Sequence, residues 1–316
     1  MSRNKMIFSL AMLFAVAIGL LYTTPAFSYL PNLNGTTPWN WPGGNTHWNL
    51  NTNVGSNVLG GAVGPVLTSS FGTWTAAPNT ALQVSQGANS TLTAAGNDGV
   101  NLICFVCNDS QFNDGNGSVS DTIAFTIDTV QSNGQIIDAD ILFNPKFTFL
   151  LGSAKCPSGD NNCEDLQSIA THEIGHFFGL DHSAVASAVM YPFQGDTSVR
   201  TLGYDDVAGI SSIYPGNVTV PTGIISGTVR FASNNAAVCG AHVFADFVTE
   251  NSSYPSPVRR TPIGGMTNAN GTYTITGLPV DSYTITAEPM DGPVTKDNLN
   301  FSCNGSLPTN FTTRQH

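Results

Sequence analysis

The stretch "THEIGHFFGLDH", from Thr171 to His182, constrains this chain more than any other feature, because three of its six histidines fall within it. His172 and His176 are four residues apart, so on a helix both side chains can reach one metal ion. Gly179 can adopt the left-handed conformation that ends a helix and turns the chain sharply. That turn would bring His182, which lies too far along a straight helix, to the same ion.

Glu173 would lie beside such an ion without binding it, where its carboxylate can take a proton from a bound water. Three neutral imidazoles leave a tetrahedral zinc ion one open position, which is typical of a catalytic and not of a structural site. The competing interpretation is an amphipathic helix that happens to carry polar residues. For the other three histidines, that ordinary core or surface role is the interpretation we adopt: His47, His242 and His316.

The segment "CEDLQSIATHEIGHFFGL" is predicted to be the strongest helix of the chain. Glu164 and Asp165 are expected in its first turn, where acidic side chains suit the helix dipole. Its core-facing stripe is predicted to consist of four residues: Leu166, Ala170, Ile174 and Phe177. Because this stripe excludes the histidines, it favours the zinc interpretation over the amphipathic one.

The first residues of the chain have the pattern of a targeting segment. Arg3 and Lys5 precede an apolar run from Met6 to Tyr22, and small residues at the spacing of a signal-peptidase site follow. A membrane anchor is the alternative, since the run is nearly long enough to span a bilayer. The polar "TTPAFS" directly after the run favours cleavage. We therefore predict a signal peptide over residues 1–28, secretion, and no stable membrane insertion after cleavage.

Charge and cysteine content limit the partners and the compartment. Removal of the signal peptide takes away two basic residues and no acidic one, so the net charge moves from −11 to −13. An acidic surface repels phosphate, which argues against nucleic acid as a partner. Six cysteines in a secreted chain suggest disulfides, although sequence cannot fix their connectivity. The pairs we predict are Cys104–Cys107, Cys156–Cys163 and Cys239–Cys303.

The rest of the pattern divides into two units. After a short N-terminal segment (29–45), residues 46–214 mix short β-like runs with helical spacing, as at Leu67, Phe71 and Trp74. A second helix is predicted at "YDDVAGISSIY", with Asp205 or Asp206 as its cap. The fold class expected for this unit is α+β.

A linker over residues 215–222, "PGNVTVPT", then leads to a unit that contains strands only. Its segments alternate with period two, and an Asn-Gly turn is predicted at Asn270 and Gly271. Residues 223–316 are therefore predicted to form a small all-β sandwich with a tail. Because the candidate site residues precede the linker, a chain that ends near Gly216 is expected to fold and to keep the site.

"HEIGHFFGLDH" followed by "SAVMYPF" resembles the metzincin clan of zinc endopeptidases and, within it, the matrixins. Met190 stands where metzincins carry the methionine of their Met-turn. "LGYDDVAGISSIYP" resembles the helix that closes the matrixin catalytic domain, and "IIDADILFN" resembles its sheet-edge strand. The resemblance covers about Thr46 to Tyr214, and the β-sandwich resembles carboxypeptidase-regulatory-like modules on weaker motifs.

This resemblance implies a metzincin-like catalytic domain, with a twisted mixed sheet and packed helices, that precedes the β-sandwich. It implies a secreted, monomeric zinc endopeptidase that acts on protein or peptide substrates. One catalytic Zn²⁺ would be held by His172, His176 and His182, with Glu173 as general base and Met190 as an apolar floor. The substrate would pair with the edge near "DADILFN". The alternative is a surface-binding or adhesive protein in which the β-sandwich dominates and proteolysis is secondary.

Three features depart from the family pattern or match no pattern. No cysteine precedes Cys104, and residues 29–45 are too few for a folded pro-domain, so we expect no cysteine-based latency. "FQGDTSVRTLG", after Pro192, has no clear match to the specificity wall of the family, and substrate preference is therefore not carried over. "NDSQFNDGNGS" offers oxygens for a structural calcium ion, but its spacing matches no ligand pattern, and a solvated turn is the preferred interpretation.

Overall fold

In a computed structural model of the chain, the structure describes residues 29, 31–107, 122–193, 197–249, 254–290, 294, 298–299, 303 and 311–315. The predicted signal peptide and the "NDSQFNDGNGS" segment lie outside these residues. Within them, no helix combines the length and the apolar character needed to cross a membrane.

The part of the chain before Pro215 contains ten short strands and three α-helices among the described residues. The strands are β1 Leu33–Asn34, β2 Thr37–Pro38, β3 Asn45–Leu50, β4 Val58–Leu59, β5 Gln83–Gln86, β6 Leu102–Cys104, β7 Ala124–Val130, β8 Ile136–Phe143, β9 Thr148–Leu150 and β10 Cys163–Asp165. The helices are α1 Val63–Thr75, α2 Leu166–Phe177 and α3 Tyr204–Ile213.

A five-stranded mixed sheet organises this part, in the order β5-β3-β6-β8-β7. Its first four strands are parallel, and β7 runs antiparallel to β8. The "IIDADILF" strand, β8, is therefore interior, and the sequence-based assignment of the sheet edge to it is wrong. The edge on this side of the sheet is β7, and β8 lies between β7 and β6. Burial agrees, since β8 is buried at all but one position and β7 is half-exposed.

Helices α1 and α2 pack together and cover this sheet. Phe71 of α1 stacks on Trp48 of β3 at a centroid distance of 5.3 Å and meets Phe177 of α2 edge to face at 5.4 Å. Trp74 is fully buried, and its indole N–H donates to the Thr171 carbonyl at 2.8 Å. The helical spacing in α1 was thus predicted correctly, and its apolar face fixes α2 on the sheet.

The helix ends differ from the sequence-based prediction. Cys163–Asp165 forms β10, which pairs in parallel with β9, so Glu164 and Asp165 precede α2 and do not lie in its first turn. Asp165 is the N-cap of α2, and its carboxylate accepts from the Ser168 backbone N–H at 2.9 Å. The cap residue of α3 is Gly203, whose N–H donates to the Asp206 carboxylate at 2.7 Å. Asp206 therefore accepts a hydrogen bond at the start of α3 from within the first turn of the helix.

The N-terminal segment lies against the turn that follows α2. Pro31 forms an isolated bridge with Leu180, and the Asn32 N–H donates to the Gly179 carbonyl at 2.9 Å. The Trp41 indole N–H donates to the Phe177 carbonyl at 2.8 Å. These contacts fix residues 31–41 on the end of α2.

After Pro215 the described residues form strands only, in two antiparallel sheets. One sheet pairs β11 with β14, and the other has the order β13-β12-β15-β16. The strands are β11 Thr222–Thr228, β12 His242–Phe247, β13 Ile263–Met266, β14 Thr272–Pro279, β15 Tyr283–Glu288 and β16 Arg314–Gln315. The predicted turn at Asn270 and Gly271 occurs, with Gly271 at φ +80°, and it connects strands of the two different sheets.

The two parts of the chain share one apolar core. Tyr204 of α3 packs edge to face on Tyr254 at 4.8 Å and on Phe247 of β12 at 5.2 Å. The same buried cluster contains Ile275 and Leu278 of β14. The residues between Pro215 and Thr222 thus connect two regions that are in extensive contact.

The three predicted disulfides are confirmed. They join Cys104 to Cys107, Cys156 to Cys163 and Cys239 to Cys303. Cys156 and Cys163 lie close to Asp160, but both of their sulfurs are used in the bond, so this cluster is not a metal site.

Candidate metal centre

The end of α2 turns the chain as the sequence predicted. Gly179 has φ +88°, and Leu180 donates back to the Gly175 carbonyl at 3.0 Å. A Cβ at Gly179 would overlap the Trp39 carbonyl. The turn therefore requires glycine for two reasons: the positive φ, and the lack of space for a side chain. The turn returns His182 to the face of α2 that carries His172 and His176.

The three imidazoles converge on one point. Nε2 of His176 lies 3.2 Å from Nε2 of His172 and 3.3 Å from Nε2 of His182. Each Nδ1 faces a backbone carbonyl: that of Val189 at 2.7 Å, of Leu180 at 2.8 Å and of Asn298 at 2.6 Å, respectively. A carbonyl can only accept, so each Nδ1 carries the hydrogen and each Nε2 presents a lone pair.

Three lone pairs at this separation have no proton between them and repel each other unless a cation lies there. Ligands about 2.0–2.1 Å from a tetrahedral zinc ion are about 3.3 Å apart, which matches the observed spacing. The three residues therefore fit a zinc ion, and the carbonyls that hold Nδ1 are the outer partners that zinc-binding histidines use. The three histidines are also one of the two groups among the described residues whose spacing suits a metal ion.

Electrostatics keep two of these rings neutral. Burial, with smaller contributions from the neighbouring histidines, lowers the pKa of His172 to about 3 and that of His176 well below its usual value. At neutral pH both rings are thus uncharged, which is the form that binds a metal ion.

Glu173 lines the same cleft as the three histidines. Its Oε2 accepts a hydrogen bond from the Thr126 hydroxyl at 2.8 Å. Burial raises the pKa of Glu173 to about 7, although the Thr126 hydrogen bond acts in the opposite direction. Thr126 belongs to β7, 47 residues away, and sequence analysis missed it because nothing local links a strand threonine to the helix.

The cleft beside the histidines has a volume of about 690 Å³. The cleft is lined by residues of β7 from Ala124 to Asp128 and by Tyr191, Pro192 and Phe193. Phe193 is 56% exposed, which is unusual for a large apolar side chain. The edge strand and these apolar residues line a groove that an extended chain can enter.

Met190 packs against α2, the helix that carries His172 and His176. It is buried, and a Cβ at Gly175 would overlap its sulfur, so helix and methionine are in close contact. The backbone N–H groups of Val189 and Met190 donate to the Asp206 carboxylate at 2.9 and 3.1 Å. Asp205 accepts from the Ser183 hydroxyl at 2.6 Å. The sequence predicted only that Asp205 or Asp206 is the cap residue of α3, whereas the two carboxylates hold both ends of the loop after α2.

Comparison with known proteins agrees with this geometry. Residues 61–215, just under half of the chain, match the family model described as Matrixin. Metalloendoproteinase 1-MMP of Arabidopsis thaliana is 54% identical over 54 residues, which are 17% of this chain and 15% of that protein. Matrilysin of Rattus norvegicus is 48% identical over 58 residues, which are 18% of this chain and 22% of that protein.

The chain thus spans about a fifth or less of the length of these relatives. Their similarity to it is nevertheless high within the short stretch that aligns. Matrixins are zinc-dependent metalloproteases, and the three histidines with Glu173 lie inside the matched range. Over residues 61–215 the chain is therefore similar to zinc metalloendopeptidases of the matrixin family.

Proposed function

We propose that this protein is a secreted endopeptidase that hydrolyses internal peptide bonds of protein substrates at the centre formed by His172, His176 and His182. The observation that carries the proposal is the convergence of three Nε2 lone pairs, with that of His176 within 3.3 Å of each of the other two, in a cleft that a buried carboxylate also lines. Bound zinc would polarise the scissile carbonyl and acidify a water molecule.

In this proposal Glu173 is the general base. Its carboxylate takes a proton from the attacking water and passes it to the leaving amine. The Thr126 hydroxyl holds Oε2 at 2.8 Å, which leaves the second carboxylate oxygen available to the water. Met190 supplies no charge and serves as packing beneath α2.

An extended substrate would bind along β7. The outer side of this strand is the sheet edge, and its residues line the cleft next to Glu173. Backbone hydrogen bonds to such an edge bind a peptide without regard to most of its side chains. The strands of residues 223–316 form a β-sandwich domain in this proposal, and the protein acts as a monomer.

The test is Glu173→Gln. We expect peptide hydrolysis to fall by about 10²- to 10⁴-fold, which is the usual size of general-base catalysis, while zinc content stays near one per chain. Glu164→Gln, which changes a half-buried carboxylate outside the cleft, is the matched control and should leave hydrolysis unchanged. If the Glu173 variant keeps activity within about tenfold of the parent, the assigned role is wrong.

A further inference from the structure

The third histidine of the metal centre is held by a distant part of the chain. The carbonyl that accepts from His182 Nδ1 at 2.6 Å belongs to Asn298, 116 residues later. The corresponding carbonyls for His172 and His176 are only 17 and 4 residues away. Asn298 also lines the cleft itself.

The backbone at Asn298 is anchored by the side chain that follows it. Leu299 is 4% exposed and belongs to a small apolar cluster with Val294 and with Met266 of β13. Tyr191, directly after the Met-turn methionine, packs against the same cluster. Leu299 thus fastens the Asn298 turn to both regions of the molecule at once.

His182 depends on such support more than its two neighbours do. His172 and His176 project from α2, whose backbone is held by helical hydrogen bonds and by packing against α1. His182 lies in the loop after the turn at Gly179, outside any helix or strand. A hydrogen bond to Nδ1 fixes both the tautomer and the orientation of an imidazole, so its loss frees the ring to rotate.

We propose that Asn298 is a positioning residue, whose backbone carbonyl fixes the ring of His182 so that the C-terminal region completes the metal centre. The proposal rests on the metal-binding role of the three histidines and does not require peptidase activity. It assigns to the C-terminal strands a part in metal affinity, in addition to any part in substrate choice.

Leu299→Ala tests it, because the substitution loosens the turn and leaves every group of the metal centre in place. The matched control is Ile275→Ala, which removes a fully buried aliphatic side chain of the same region outside the cleft. Zinc affinity is measured by competition with a chelator, alongside thermal unfolding. We expect Leu299→Ala to bind zinc at least about tenfold more weakly than the parent, which is typical for loss of an outer partner. Ile275→Ala should stay within about twofold of the parent.

A second measurement reads the ring directly in the zinc-free protein. Nitrogen-15 NMR of the imidazoles should show His182 as the Nδ1–H tautomer in the parent and in Ile275→Ala, and as a mixture of tautomers in Leu299→Ala. If Leu299→Ala does not fold, the double variant Cys239→Ser, Cys303→Ser takes its place, because that disulfide ends five residues beyond Asn298.

Equal zinc affinity in Leu299→Ala and in Ile275→Ala, with an unchanged His182 tautomer in Leu299→Ala, would overturn the proposal. A parent protein that binds zinc but hydrolyses no peptide would instead contradict the endopeptidase function and would not affect the positioning role of Asn298. A parent that binds no zinc would contradict both.

Discussion

The regions before and after the connection at residues 215–222 contribute different kinds of groups to the metal centre and to the loop that follows α2. The earlier region supplies side chains, namely the three imidazoles and the Glu173 carboxylate. The later region supplies backbone groups: the Asn298 carbonyl, and the Gly264 N–H that donates to Asp205 at 2.9 Å. Side chains define which reaction can occur, whereas these backbone groups determine how firmly the reacting groups are held.

The largest effect is expected when a side chain of the metal centre is removed. His176→Ala removes the nitrogen that lies within 3.3 Å of both others, so we expect loss of zinc and peptidase activity at background. Thermal stability should fall as well, because metal binding favours the folded state. Metal analysis, peptide hydrolysis and thermal unfolding are the measurements. The exposed His47 gives the control, His47→Ala, and one zinc per chain in the His176 variant would refute the ligand assignment.

A chain that ends at Gly216 tests whether the two regions are separable. The sequence predicted that it folds, but it would expose the Tyr204 ring and remove the Gly264 N–H from the buried Asp205 carboxylate. Several lost contacts of this kind should lower the melting temperature by about 10 °C or more, or prevent folding.

The matched control for this truncation is a full chain cut at Val218, which is 74% exposed. The cut chain retains every contact between the regions and should stay associated, with a melting temperature close to that of the parent. If the truncated chain melts at the parent temperature, the two regions do not depend on each other for stability.

The smallest effect concerns Asp205, where the two regions meet. Burial, and then the nearby Asp206, raises the pKa of Asp205 to about 8. In the unfolded chain this carboxyl ionises near pH 4. Between about pH 4 and pH 8 it is therefore ionised in the unfolded chain but protonated in the folded protein, so its contribution to stability declines as the pH rises. Asp205→Asn keeps an acceptor for the Gly264 N–H but cannot ionise.

We therefore expect Asp205→Asn to lose less stability than the parent between pH 5 and pH 8, as measured by melting temperature at both values. The exposed Asp246 on β12 supplies the control, Asp246→Asn, which should follow the parent. An identical pH dependence in parent and Asp205 variant would mean that this carboxyl is ionised in the folded protein.

The features that sequence analysis predicted are those with local causes. A four-residue spacing on a helix and a glycine that permits φ +88° are enough to bring His172, His176 and His182 together, and both are written in eleven residues. The strand-to-helix boundary at Asp165 was missed because pairing with β9, a segment some 15 residues earlier, extends the strand into a sequence with helical propensity.

The features that sequence analysis missed depend on distant contacts. Thr126 reaches Glu173 only because β7 lies on the outer side of β8, and the sequence pattern of β8 does not reveal which strand is at the edge. Nothing in the sequence marks the Asn298 carbonyl, because every residue has a backbone carbonyl. Only the fold shows that this carbonyl faces an imidazole.

The disulfide between Cys239 and Cys303 has a consequence beyond the stability of the strands that it joins. It joins two residues that are 64 apart in the sequence, and Asn298 lies five residues before the second of them. Thiol–disulfide exchange at these two half-buried sulfurs would free the chain end that carries Asn298. The reduction potential of the surroundings would then act on the orientation of the His182 imidazole, a group that itself has no redox chemistry. An oxidising compartment would thus favour a well-ordered metal centre as well as a closed disulfide.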